Sequence, residues 1–155
     1  MSDQILRGAV DNHVHCCPHI NKRSTNIFEV IMYAEKHKMY AIGLMDNFSN
    51  TSGYASLVKK ILPRLKLKVF GGLIMEPPSG GVNLENVKIA LNYSYFKNDG
   101  AKFISFPTHH TRYVAKIEKR KKSYVKKCFY VPKSGPTKET KEILKLIAKN
   151  NLVLN

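Results

Sequence analysis

At 155 residues the chain is sized for one domain and falls short of the roughly 250 residues that a complete eight-unit α/β barrel takes. An apolar fraction of 43%, with no apolar run near the roughly 20 residues of a bilayer span, reads as a globular chain and excludes a membrane-spanning one. Lys and Arg number 26 against 11 Asp and Glu, and the resulting net charge of +15 favours phosphates and anionic polymers as partners.

The first residues lack a basic start, an apolar stretch and a small-residue cleavage site. A cytoplasmic location is therefore expected, with Cys16, Cys17 and Cys128 as free thiols. Short apolar, β-branched runs then alternate with segments of helical period, the pattern of βα units on a parallel sheet. A first strand is predicted over 9–15. Ile27, Phe28, Ile31, Met32 and Ala34 follow at helical spacing behind Thr25 or Asn26 as N-cap, predicting a helix to 38. The second strand is expected over 39–45. Thr51 or Ser52 opens a helix through Tyr54, Leu57, Val58 and Ile61, which Pro63 ends.

A third strand is predicted over 67–75, where a glycine pair allows close backbone packing. The loop "EPPSGGVN" leads to a helix over 84–97 with Val87, Leu91 and Tyr95 on one face. The fourth strand is expected over 101–107. A basic loop insertion over 112–136 interrupts the rhythm. Thr137 then caps a helix with Ile143, Leu144 and Ile147 inward, and 152–154 begins a fifth strand. The expected fold is α/β: one domain of parallel βα repeats, an incomplete, apparently truncated TIM-type barrel of about four and a half units. Its βα loops gather at the C-terminal edge of the sheet. Its unclosed sheet edge predicts self-association into a homo-oligomer.

Side chains alternate along a strand, so Asp11, His13 and His15 share one side of the first. Two imidazoles at i and i+2 can reach one divalent ion, with zinc–nitrogen distances of about 2.0–2.1 Å. The same spacing also describes two hydrogen-bonded strand residues. What favours ligands is position, because Asp46, Glu76 and the pair His109 and His110 stand at the ends of the next three strands. Each alone reads as a cap or turn former. Together they predict a zinc or manganese site with His13, His15 and Glu76 as ligands, and Asp46, His109 and His110 as catalytic groups. Asp11 is expected to orient one imidazole. Such a site activates water against an amide, ester or phosphoester of a small-molecule substrate.

The stretches "DNHVHCCP", "VFGGLIMEPPSGGVN" and "FPT", in that order, resemble the N-terminal half of a family of amidohydrolase-like proteins. Asp11, His13, His15 and Pro18 match its Asp-x-His-x-His-x-x-Pro motif. Where that family has Lys-Asp-His, this chain has Met45, Asp46 and Asn47. The resemblance implies a metal-dependent hydrolase of the (β/α)8 type with His13 and His15 as ligands. His-x-His, Asp46 and Glu76 are also similar to the polymerase and histidinol phosphatase (PHP) family of phosphoesterases, for which Arg112, Lys116, Lys119 and Arg120 would be anion contacts.

His19 reads as a loop histidine near the mouth of the site. The basic run supports a different class of function, a nucleic-acid-binding module with lysines on phosphates and Tyr113 and Tyr124 stacking on bases. A catalytically inactive relative of the hydrolases is the third reading.

Overall fold

A computed structural model describes residues 2–155. In chain order the elements are α1 (Ser2–Leu6), β1 (Val10–Val14), α2 (Ile27–Lys36), β2 (Ala41–Leu44), α3 (Ser52–Ile61), β3 (Lys68–Ile74), α4 (Leu84–Asn92), β4 (Phe103–Ser105), α5 (Arg112–Ile117), α6 (Lys122–Lys127), α7 (Lys138–Lys149) and β5 (Val153–Leu154), with a single 3-10 turn at Pro77–Ser79. The strands form one parallel sheet in the order β1-β2-β3-β4-β5.

Sequential order with a helical crossover at each step sends the helices to a single face. Alternation along the strands agrees. Ile42, Leu44 and Val69 pack with Ile31 and Ala34 of α2 and Ala55 and Val58 of α3. Leu73 and Ile104 pack with Val87 and Ala90 of α4 and Ile143 and Ile147 of α7. On the opposite face Phe70, Ile74 and Phe103 gather with Met45. That face is concave: Nδ2 of Asn155, just past β5, lies 3.9 Å from Sδ of Met45, just past β2. In a flat sheet three strand spacings would hold those positions about 14 Å apart. The sheet is therefore a curled half-barrel.

Local chemistry sets the element ends. Asn26 accepts the N–H of Glu29 while the Glu29 carboxylate accepts the N–H of Asn26, a complete capping box that starts α2. Thr51 holds the capping position of α3, but its hydroxyl donates to the carbonyl of Leu44 (2.6 Å) and accepts the N–H of Gly72 (3.0 Å). One buried side chain thus ties α3 to β2 and β3. Gly71 permits this closeness, since a Cβ there would stand 2.4 Å from the carbonyl oxygen of Thr51.

Two expectations need correction. The helix predicted over 84–97 ends at Asn92, and Tyr95 is not on its face. The buried hydroxyls of α3 capture the backbone beyond it: Ser52 donates to the carbonyl of Tyr93 (2.8 Å), and Ser56 accepts the N–H of Tyr95 (2.7 Å). The run expected as a basic loop over 112–136 instead contains α5 and α6. Thr111 caps α5, and Phe129 stacks on Phe106 with ring centroids 5.2 Å apart, folding the segment back onto the end of β4. Helix α1 had no counterpart in the sequence reading. Among the described residues, no helix is long and apolar enough to cross a membrane.

Candidate functional site at the C-terminal edge of the sheet

Asp11, His13 and His15 lie along β1 and its C-terminal extension. Val14, between the two histidines, packs into the helix-side core, so the histidines face the other way. Their Nε2 atoms stand 3.1 Å apart, with ring centroids separated by 5.0 Å. Asp11 is occupied differently from expectation. Its carboxylate accepts the backbone N–H of His13 (3.0 Å), not an imidazole N–H. Burial, aided by His13, Arg23 and His19, holds the pKa of His15 below its ordinary value, so at neutral pH this ring is neutral. Its Nδ1 is buried without a hydrogen-bond partner.

The β1–α2 loop is pinned at its ends, where Cys17 donates to the carbonyl of Thr25 and Ile27 donates to the carbonyl of Cys17. This closed loop carries His19 and Arg23. The side chain of His19 is 1% exposed. Its Nδ1 accepts the N–H of Asn21 (3.0 Å), its Nε2 lies 3.0 Å from Nη2 of Arg23, and its ring stands edge-on to Phe48. Cys16, buried beneath, has its thiol pushed up to about 11 by burial and by the neighbouring Cys17 and Asp46. It is a neutral packing residue rather than a nucleophile.

Asp46 serves the turn that follows β2, accepting the N–H of Phe48 (2.9 Å) and the hydroxyl of Ser49 (2.7 Å). Glu76, 1% exposed, is more heavily engaged. Its Oε1 accepts the N–H groups of Thr108 (2.8 Å) and His109 (2.7 Å), while Oε2 meets the N–H (3.1 Å) and Nδ1 (2.7 Å) of His110. Burial alone would raise this carboxyl. The N–H groups of His109 and Thr108, together with the ring and N–H of His110, outweigh it and hold the pKa below the ordinary value. Glu76, read in the sequence as a metal ligand, is thus the organiser of the β4–α5 loop. His109 contributes its backbone N–H to that arrangement, and His110 its ring.

These loops enclose a cavity of about 270 Å³, lined by His19, Asn21, Arg23, Asn47, Phe48, Glu76, His109 and His110. A groove of about 740 Å³ lies at the other edge of the sheet, near Lys66, Lys68, Lys102 and Asn151. It is larger, but it gathers no imidazoles. Its lysines are partly neutralised, since Lys59 and Lys102 both pair with Asp99. The smaller cavity is the one that gathers imidazole, guanidinium and carboxylate side chains. Among the described residues, no group of three or more His, Cys, Asp or Glu side chains is placed to hold a metal ion.

The basic helices flank this edge. Arg112, an expected anion contact, is stacked on Tyr130, its guanidinium carbon 3.3 Å from the ring centroid. Arg120 pairs with Glu118 (2.9 Å) and lies over Tyr124. Lys116 and Lys119 are exposed. Arg23 was missed by the sequence reading. One arginine in a polar loop carries no pattern, and only the fold brings it to His19.

Residues 8–155 match the model of a family of unknown function, DUF6282. The chain belongs to that family. No curated protein and no solved structure matches it.

Proposed function

We propose that the protein is a metal-dependent hydrolase-like protein, built on half of a TIM-type barrel, with a divalent cation held by His13 and His15. The observation that carries this reading is the 3.1 Å between their Nε2 atoms on one side of β1. Two nitrogens binding one tetrahedral zinc at about 2.0–2.1 Å lie about 3.3 Å apart, so the pair fits with little adjustment. Neutral imidazole is the ligand form, and the depressed pKa of His15 favours it. Bound there, the cation would supply Lewis-acid polarisation of a carbonyl or phosphoryl oxygen and a lowered pKa for water.

The chain's own proton-transfer group in this reading is His110. A ring that donates its Nδ1–H to the buried Glu76 carboxylate keeps Nε2 as its basic nitrogen, and the carboxylate fixes both tautomer and orientation. The adjoining cavity would hold the small-molecule amide, ester or phosphoester.

Elemental analysis and calorimetric titration with zinc and manganese test the reading in the wild type and a His13→Ala/His15→Ala variant. Near-stoichiometric binding that disappears in the variant is the expected result. No binding by the wild type, or equal binding by both, overturns it.

A further inference from the structure

The pairing of His19 and Arg23 has a physical peculiarity. In a neutral imidazole one nitrogen donates and the other accepts. Nδ1 of His19 accepts the backbone N–H of Asn21, so the hydrogen-bond network assigns the ring proton to Nε2. Arginine has only donors. Nε2–H and an Nη2–H of Arg23 therefore converge within 3.0 Å with no acceptor between them. The nearest carboxylate oxygen, Oδ1 of Asp46, is 3.7 Å from Nε2, beyond hydrogen-bond length, and already accepts the N–H of Phe48. Among the described residues Arg23 forms no ion pair, and its Nε is buried without a partner. Both residues line the cavity.

We propose that this pair of donors binds an oxyanion, a carboxylate or phosphate group of the substrate, at the Arg23 and His19 wall of the cavity. One anionic oxygen accepting from both groups removes the donor–donor conflict and supplies the missing countercharge. A charge-assisted bond to guanidinium is also the stronger kind of hydrogen bond. The inference rests on the proposed hydrolase reading only in treating the anion as part of a substrate. The anion site itself needs no metal.

The test uses full-length, chelator-treated protein near physiological salt, titrated separately with inorganic phosphate and with acetate. Side-chain NMR signals of Arg23 and His19 are followed. Saturable, single-site shifts are expected with at least one anion. The anion that saturates at the lower concentration identifies the source. Arg23→Gln is expected to weaken binding by about tenfold, equivalent to about 1.4 kcal/mol. Arg23→Lys, which keeps the charge without the planar fork, should fall between. A Lys116→Gln/Lys119→Gln variant should bind as the wild type does, which separates the cavity from the general basic surface.

Absence of saturation with both anions, undiminished binding by Arg23→Gln, or loss of binding in the double lysine variant overturns the proposal. His13→Ala/His15→Ala should retain the anion while losing metal. Failure of the metal titration with anion binding intact would thus remove the hydrolase reading and leave this one standing.

Discussion

Two loops meet at the same cavity and treat their polar groups in opposite ways. In the β4–α5 loop, the Glu76 carboxylate collects the N–H groups of Thr108, His109 and His110 together with the His110 ring. In the β1–α2 loop, Nδ1 of His15 and Nε of Arg23 are buried without partners, and Arg23 faces another donor. A satisfied network rigidifies a fold, whereas buried polar groups left unpaired cost free energy in the ligand-free chain. The first loop is a rigid wall that fixes the ring of His110 in place. The second leaves donors open to a ligand.

The sharpest way to break this comparison is to remove the wall. Glu76→Ala leaves three backbone donors without an acceptor beside a cavity, and the expected loss of stability is about 3–5 kcal/mol. For a chain of this size that lowers Tm by roughly 10 °C or more, read by calorimetry. A loss below about 1 kcal/mol would mean that water replaces the carboxylate and that the wall is not what fixes the loop.

Acid should produce a milder version of the same loss. The unfolded carboxyl of Glu76 titrates near 4.5 and the folded one lower, so between those values the unfolded chain binds the proton more readily. The stabilisation is complete above pH 4.5 and is lost as pH falls through the folded pKa. Denaturant midpoints measured between neutral pH and pH 3 should decline more steeply for the wild type than for Glu76→Gln. Parallel curves would assign the acid sensitivity to other carboxylates.

The same contrast explains what was legible in the sequence. Strands and long helices were, because apolar period and caps such as Asn26 and Thr137 are local signals. Their parallel arrangement follows from the alternation. Helices α5 and α6 were not, since six residues hold too little period to distinguish a helix from a charged loop. Asp46, Glu76, His109 and His110 were correctly brought to one edge by being placed at strand ends. Their occupations were not legible. Glu76 finds its partners 32 to 34 residues away, and nothing in the sequence says which backbone N–H groups its carboxylate will accept. Arg23 and the Ser56 capture of the chain beyond α4 are likewise contacts between distant elements.

The smallest effect on stability is expected where the proposed effect on binding is largest. Replacing Arg23 with Gln removes a positive charge from beside His19 and His15 and lets the new side chain offer an acceptor to Nε2–H of His19. Removal of the donor–donor contact and of the charge offsets the packing lost with the long side chain. Stability should therefore stay within about 0.5 kcal/mol of the wild type, or rise slightly, in denaturant unfolding without added anion. Added phosphate or acetate should then stabilise the wild type more than the variant, because a ligand raises stability only through the form that binds it. A fall of about 2 kcal/mol in the absence of anion would instead make Arg23 a structural residue and dissolve the distinction between the two loops.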